Sequence, residues 1–197
     1  TWSIVNLPAG SMTLNDIWGT GPNDLYAVGG ESGKGVLLRG TGKGWVKTAV
    51  AGSAPLQGVW GFGLADVLAV GGDRALRYQW STWKVTKLSC SSLLDIWGVG
   101  ASSAWAVGSS GCVQRFSGAA WSKQTSGTTS TLRGVWGQST TRVWAVGDAG
   151  RVIRFDGKTW KLEHSGTGHT LRAVWGAGSS DVYAVGASGT ILRRQGP

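Results

Sequence analysis

Two aspartates, Asp16 and Asp95, occupy the same place in two copies of a recurring segment, LNDIWG (14–19) and LLDIWG (93–98). Two carboxylates facing each other across a substrate are what glycoside hydrolysis requires, one as acid and one as base or nucleophile. Elsewhere the same place holds Gly58, Gly134 and Ala173, so local hydrogen bonding at a strand start competes with catalysis. Sialidase-type chemistry would further want an arginine triad and a nucleophilic tyrosine, and Tyr26, Tyr78 and Tyr183 give no such constellation. His164 and His169 share the loop HSGTGH with no cysteine or acidic cluster beside them, a poor metal site. GGESGKG (29–35) misses the G-x-x-x-x-G-K-[ST] spacing of a phosphate-binding loop, and no helix follows it. No catalytic residue, metal or cofactor is assigned, and the chain reads as non-enzymatic.

What does recur is an arginine, at Arg39, Arg77, Arg115, Arg154 and Arg193. A partly repeated aromatic series, Tyr26, Trp105, Trp144 and Tyr183, accompanies it and is broken by Leu68. One reading is structural: a guanidinium lies over a ring and caps strand carbonyls. The other is a set of equivalent donors for a carboxylate, sulfate or sugar hydroxyl, with the aromatics as stacking platforms. These nine residues are the candidate ligand-binding set.

The elements that position them come from an internal repeat. LNDIWG, LQGVWG, LLDIWG, LRGVWG and LRAVWG place tryptophans at Trp18, Trp60, Trp97, Trp136 and Trp175, with spacings of 42, 37, 39 and 39 residues. Each is followed by a second apolar run ending in Val-Gly (LYAVG, VLAVG, AWAVG, VWAVG, VYAVG), with alanine at 27, 69, 106, 145 and 184. A glycine turn leads to a third run carrying the arginine, and a further turn to a fourth opened by Trp2, Trp45, Trp83, Trp121 or Trp160. Trp80 falls outside the pattern and is expected to cover the edge of the second unit.

Four short strands in a unit of about 39 residues mark a β-propeller blade. The expectation is an all-β, five-bladed β-propeller with four antiparallel strands per blade. It occupies 1–197 as a single domain, with blades at about 14–52, 53–90, 91–129, 130–168, and 169–197 plus 1–13. The segment TWSIVNLPAG (1–10) matches a fourth strand and its exit loop, so the N-terminal strand is expected to complete the last blade and close the ring. Cys90 and Cys112 fall at the same rim of one blade, which allows either a disulfide or two small buried thiols.

Of 197 residues, 34 are glycine and 13 tryptophan, and only 15% are charged, a composition that excludes coiled coil, collagen and disorder. No apolar run is long enough for a membrane helix. The chain begins at Thr1 with Met12 its only methionine, which fits a processed secreted protein or an excised domain. The net charge of +9 is uneven: residues 1–99 carry 8 basic and 6 acidic side chains, residues 100–197 carry 11 and 4. Such a balance favours polyanions.

The repeat resembles the Asp-box or BNR-type propeller repeats of sialidases and photosystem II assembly factors. The best match is VWAVGDAGRVIRFDGKTW (143–160), with Asp156, Gly157, Thr159 and Trp160 in the Asp-box arrangement, one residue shorter between Asp and Gly than usual. The five-blade count is also similar to tachylectin and, more loosely, the tectonin lectins. That resemblance implies a multivalent, lectin-like carbohydrate-binding propeller with glycans, including acidic ones, as partners. The alternative is a protein-interaction scaffold of a secreted or envelope assembly, using a basic patch of Arg133, Arg142, Arg151, Arg172 and Arg194. A glycoside hydrolase ranks below both, and nucleic acid is an unlikely partner because no reading motif accompanies the charge. The expected setting is secreted or cell-surface, bacterial, as a monomer or small homo-oligomer.

Overall fold

The computed structural model of the protein describes residues 1–50, 54–63, 65–79, 82–100 and 102–194; Trp80 lies outside them. Every repeat forms its own antiparallel sheet in chain order. The first holds β1 (Thr13–Gly21), β2 (Asp24–Glu31), β3 (Lys34–Gly40) and β4 (Trp45–Val50). The second holds β5 (Gly58–Gly63), β6 (Asp66–Gly71), β7 (Arg74–Gln79) and β8 (Thr82–Lys87). The third holds β9 (Leu93–Val99), β10 (Ser103–Gly108), β11 (Val113–Phe116) and β12 (Trp121–Gln124). The fourth holds β13 (Leu132–Ser139), β14 (Arg142–Gly147), β15 (Val152–Phe155) and β16 (Trp160–Glu163). The fifth has three strands, β17 (Leu171–Gly178), β18 (Asp181–Gly186) and β19 (Ile191–Arg193). Two compact units divide the chain, Thr1–Thr86 and Lys87–Pro197.

Second strands of the first four sheets are covered on both faces, which is why they read as continuous apolar runs rather than alternating ones; β18 is open on one face. Ala27, Ala69, Ala106, Ala145 and Ala184 are all buried in the second strands. Each first-strand tryptophan stands opposite the second-strand ring position: Trp18 and Tyr26, Trp60 and Leu68, Trp97 and Trp105, Trp136 and Trp144, Trp175 and Tyr183. Within each unit the same tryptophans join neighbouring sheets. Trp18 lies flat over Gly61 in the first unit. In the second, a Cβ at Gly137 would stand 2.8 Å from the Trp97 ring, and one at Gly176 2.7 Å from that of Trp136.

The glycine ending each Val-Gly run admits the chain entering the sheet. A methyl on Gly108 or Gly147 would overlap the carbonyl oxygen of Ser92 or Thr131. Those carbonyls instead accept hydrogen bonds from the next N–H, Ser109 and Asp148, both at 2.9 Å. Four of the turns between second and third strands place a non-glycine residue in the left-handed region: Ser32, Ser110, Ala149 and Ser188, at φ of 49°, 55°, 55° and 54°. With the glycine that follows, these form tight hairpin turns that match strand twist. Alanine has no side-chain hydrogen bond to offset that conformation, which costs roughly 1–2 kcal/mol. Ala149→Gly is therefore expected to raise stability by about 0.5 kcal/mol, after the greater freedom of glycine in the unfolded chain is counted. A shift in the urea midpoint at unchanged slope is the check.

Among the described residues the fifth sheet has three strands, ending at β19, and residues 1–12 belong to no strand, so the four-stranded last blade expected from residues 1–10 is not formed. Trp2 and Ile4 stand at 101% and 97% exposure. A lone segment of this length has only water for its N–H and C=O groups, so its apolar alternation does not hold strand geometry by itself. No helix among the described residues is long and apolar enough to cross a membrane.

Candidate functional site

Asp16 and Asp95 use both carboxylate oxygens on backbone. Asp16 Oδ1 accepts from the Ile17 N–H and Oδ2 from the Val59 N–H, each at 2.8 Å. Asp95 repeats this with Ile96 and Val135, again at 2.8 Å. Val59 and Val135 lie on the first strand of the following sheet, so each aspartate staples one sheet to the next. Where Gly134 replaces the aspartate, the backbones themselves draw close: a Cβ there would sit 3.1 Å from the Ala173 Cα. Burial pushes the Asp16 carboxyl above its usual 3.8, partly offset by the N–H groups of Val59 and Ile17. These geometries suit structural staples rather than a catalytic pair. Asp95→Asn turns an NH₂ or loses an acceptor toward Val135, and is expected to cost about 1–3 kcal/mol in unfolding free energy.

The candidate arginines stand directly opposite the ring series: Tyr26 and Arg39, Leu68 and Arg77, Trp105 and Arg115, Trp144 and Arg154, Tyr183 and Arg193. The guanidinium carbons of Arg39, Arg115 and Arg193 lie 5.6, 5.4 and 5.7 Å from the centroids of Tyr26, Trp105 and Tyr183. Four of the five also meet a carboxylate. Arg39 approaches Asp24 at 3.6 Å, while Arg77–Asp66, Arg154–Glu163 and Arg193–Asp181 pairs close to 2.7 Å. Asp24, Asp66 and Asp181 each sit two residues before the ring position, on the same strand face. Arg115 lies between Trp105 and Phe155, 5.4 and 5.8 Å from their ring centroids. Tyr26, Trp105 and Trp144 are enclosed, and only Tyr183 is open. Stacking of a sugar on the enclosed three would require the sheets to part.

Asp156 shapes the turn between β15 and β16, accepting from the N–H groups of Lys158 (3.0 Å) and Thr159 (2.9 Å) while pairing with Lys161 at 2.8 Å. The Lys161 ammonium and the two N–H groups hold its carboxyl far below the usual carboxylate range. Cys90 and Cys112 are joined as a disulfide that ties the chain entering β9 to the start of the third strand. His169 donates its backbone N–H to Thr167 Oγ1, and His164 borders a crevice described below. Among the described residues no group of three or more His, Cys, Asp or Glu side chains is arranged to hold a metal.

Arg133 and Asp148 form a two-pronged pair at 2.5 and 3.1 Å, with the Thr170 hydroxyl donating to the same carboxylate. The arginine holds the Asp148 carboxyl below 3.8. The folded chain thus binds this proton less readily than the unfolded one. The pair's contribution is present above pH 3.8 and is lost as pH falls through the lower, folded value. Solvent screening keeps it under about 1 kcal/mol. Thermal midpoints measured on acidification should fall less for Arg133→Met than for the parent.

Four exposed large apolar side chains of the second unit lie on the fifth sheet. Trp175 is 63% and Ile191 71% exposed, with Tyr183 and Val185 beside them also open. On the other face of this sheet, toward the fourth, lies a crevice of about 350 Å³ lined by Trp144, Val174, Leu192, His164 and Glu163, with Arg193 and Arg194 at its border. Arg194 lies 5.6 Å from the Trp144 centroid. Its backbone N–H points inward to the Val182 carbonyl at 2.8 Å. By strand alternation the N–H groups of Arg193 and Ile191 face outward from the edge.

Successive four-stranded antiparallel sheets joined by a tryptophan over a glycine define a propeller-like repeat protein. Solved structures agree on that class. YCF48 bound to a D1 peptide is similar over 95% of this chain, with TM-score 0.70 and 19% identity. The WD40 propeller domain of Doa1 is similar over 94%, with TM-score 0.75 and 9% identity. A catalytically inactive virginiamycin B lyase from Staphylococcus aureus with quinupristin is similar over 96%, with TM-score 0.74 and 13% identity. This chain spans 64%, 66% and 72% of those three chains. No protein-family model matches the sequence, and no curated protein does. At such identities the likeness concerns the fold, which hosts unrelated functions.

Proposed function

We propose that the chain is a non-catalytic protein-interaction scaffold whose fifth sheet receives an extended polypeptide segment. The observation that carries this reading is that β19 forms the sheet edge among the described residues, with Ile191 and its cross-strand neighbour Val185 exposed beside it. An extended peptide adds a strand through main-chain hydrogen bonds and seats alternate side chains in an adjoining crevice. The basic excess of residues 100–197 steers acidic segments toward it. One structurally similar protein holds a peptide, which supports a peptide-binding use of this fold. Carbohydrate binding gains no support, because the ring series is largely enclosed and most of its arginines are held by carboxylates. The disulfide favours an exported setting, where such bonds persist.

The test is fluorescence titration with a synthetic peptide of alternating apolar and acidic residues. Ile191→Pro removes an outward N–H and should abolish binding, while Lys34→Gln, exposed at the start of β3, should leave it intact. Saturable binding unaffected by Ile191→Pro would overturn the reading.

A second reading concerns the occupant. TWSIVNL opens with tryptophan as the fourth strands do, and its apolar side chains stand exposed. We propose on that ground that residues 1–10 complete the fifth sheet and close a five-bladed ring. Disulfide trapping in a monomer carrying Ile4→Cys and Ile191→Cys supports closure. Failure to trap, with peptide binding retained, leaves the edge to a partner.

A further inference from the structure

A rim cavity of about 960 Å³ opens in the second unit, well away from the β19 edge in sequence and built from different loops. Its walls come from the chain entering β9, the turn between β10 and β11, and the loop joining β12 to β13, with Arg151 reaching in from the fourth sheet. The lining is a dense set of hydroxyls, among them Ser91, Ser109, Ser126 and Thr128, and two cations, Lys123 and Arg151. No aspartate or glutamate lines it.

Arg151 is the informative residue. Arg77, Arg133, Arg154 and Arg193 each meet a carboxylate within 2.7 Å, and Arg115 lies over rings. Among the described residues Arg151 has neither, though it lines the cavity, and its Nε, like those of Arg39 and Arg115, is buried without a hydrogen-bond acceptor. A guanidinium nitrogen removed from water and given no acceptor is a donor waiting for one. The walls that face it are held in place. The Ser126 hydroxyl donates to the Thr128 carbonyl at 3.1 Å, the Ser91 and Ser109 hydroxyls meet at 2.9 Å, and the Cys90–Cys112 disulfide ties two of the three loops together.

We propose that this rim cavity binds an oxyanion of the phosphate or sulfate type, carried free or on a small polyhydroxylated molecule. Arg151 supplies the charge-assisted hydrogen bond, Lys123 the second positive charge, and the Ser and Thr hydroxyls the remaining donors. The absence of a carboxylate in the lining removes the repulsion that would exclude such a ligand.

The experiment is nuclear magnetic resonance titration of the full chain at constant ionic strength with inorganic phosphate, sulfate, glucose 6-phosphate and glucose. Saturable shifts confined to residues 89–91, 109–112, 123–130 and 151 are expected with the anions and not with glucose. Tighter binding of glucose 6-phosphate than of phosphate assigns the sugar-borne form, and equal binding assigns the free oxyanion. Arg151→Gln should weaken binding about tenfold or more, and Arg142→Gln should not change it. Reduction of the disulfide should weaken binding by loosening two walls. Equal loss in Arg142→Gln, or undiminished binding in a folded Arg151→Gln protein, would show attraction to general positive charge and overturn the site. So would the absence of saturable shifts. The peptide titration of Ile191→Pro reads the scaffold proposal separately.

Discussion

Trp105→Ala should lower the unfolding free energy of the second unit by about 3–5 kcal/mol, the range for deleting a large aromatic from a core. Trp105 is 0% exposed. Its ring lies 6.0 Å from the Trp97 centroid and 6.2 Å from that of Phe155, and the Arg115 guanidinium covers it at 5.4 Å. Loss of the ring leaves a cavity walled by two aromatic side chains anchored in different sheets, so little collapse can offset it. Trp105→Phe makes the informative control. The indole N–H is buried without an acceptor, so its removal sacrifices no hydrogen bond and the smaller ring forfeits only packing. Urea unfolding followed by circular dichroism measures both. A loss below about 1 kcal/mol for Trp105→Ala would contradict the packing described. Ile191→Ala should behave oppositely, leaving stability nearly unchanged while weakening peptide binding at the β19 edge.

Opening the Cys90–Cys112 bond should cost about 3 kcal/mol, the value expected from chain entropy for a loop of this length. The bridge spans a sequence separation of 22 and encloses β9 and β10, so the strands it constrains are those carrying Trp97 and Trp105. Both cysteines are buried, and Gln114 Nε2 donates to Ser89 Oγ at 3.1 Å alongside Cys90 Sγ. Thermal melting with and without reductant measures the effect. A Cys90→Ser, Cys112→Ser protein should melt at the lower temperature in both conditions. A melting curve of the parent that ignores reductant would show that the bond contributes nothing.

The strand order of each sheet was readable because the repeat writes it five times, and the Trp-Gly and Val-Gly pairs mark places where backbone or ring comes too near for a side chain. The fifth sheet departed because the likeness of residues 1–10 to a fourth strand records a sequence pattern, not a hydrogen-bonding partner. The arginine series was plain in the sequence, but its counter-charges were not. Asp24, Asp66 and Asp181 stand in one repeat column, two places ahead of the ring position, but Ser103 and Arg142 break that column in the other two repeats. Asp16 and Asp95 were singled out for their chemistry. Their partners, the N–H groups of Val59 and Val135, are backbone atoms some 40 residues away and carry no residue-type signature. The rim cavity was the least legible element, since three loops and a fourth-sheet arginine compose it and no motif spans them.

The tryptophan-over-glycine contact is directional: the earlier sheet supplies the ring and the later one the space. Copying one unit of the gene therefore brings both halves of a new joint, and no fresh complementarity has to be selected. A protein of this kind can lengthen or shorten by whole units with each intermediate already fitted together. In an open series the same rule leaves the last ring without a seat, and Trp175 is 63% exposed here. Every change in the length of an open series thus carries an adhesive end along with it, one that natural selection must either cap or employ.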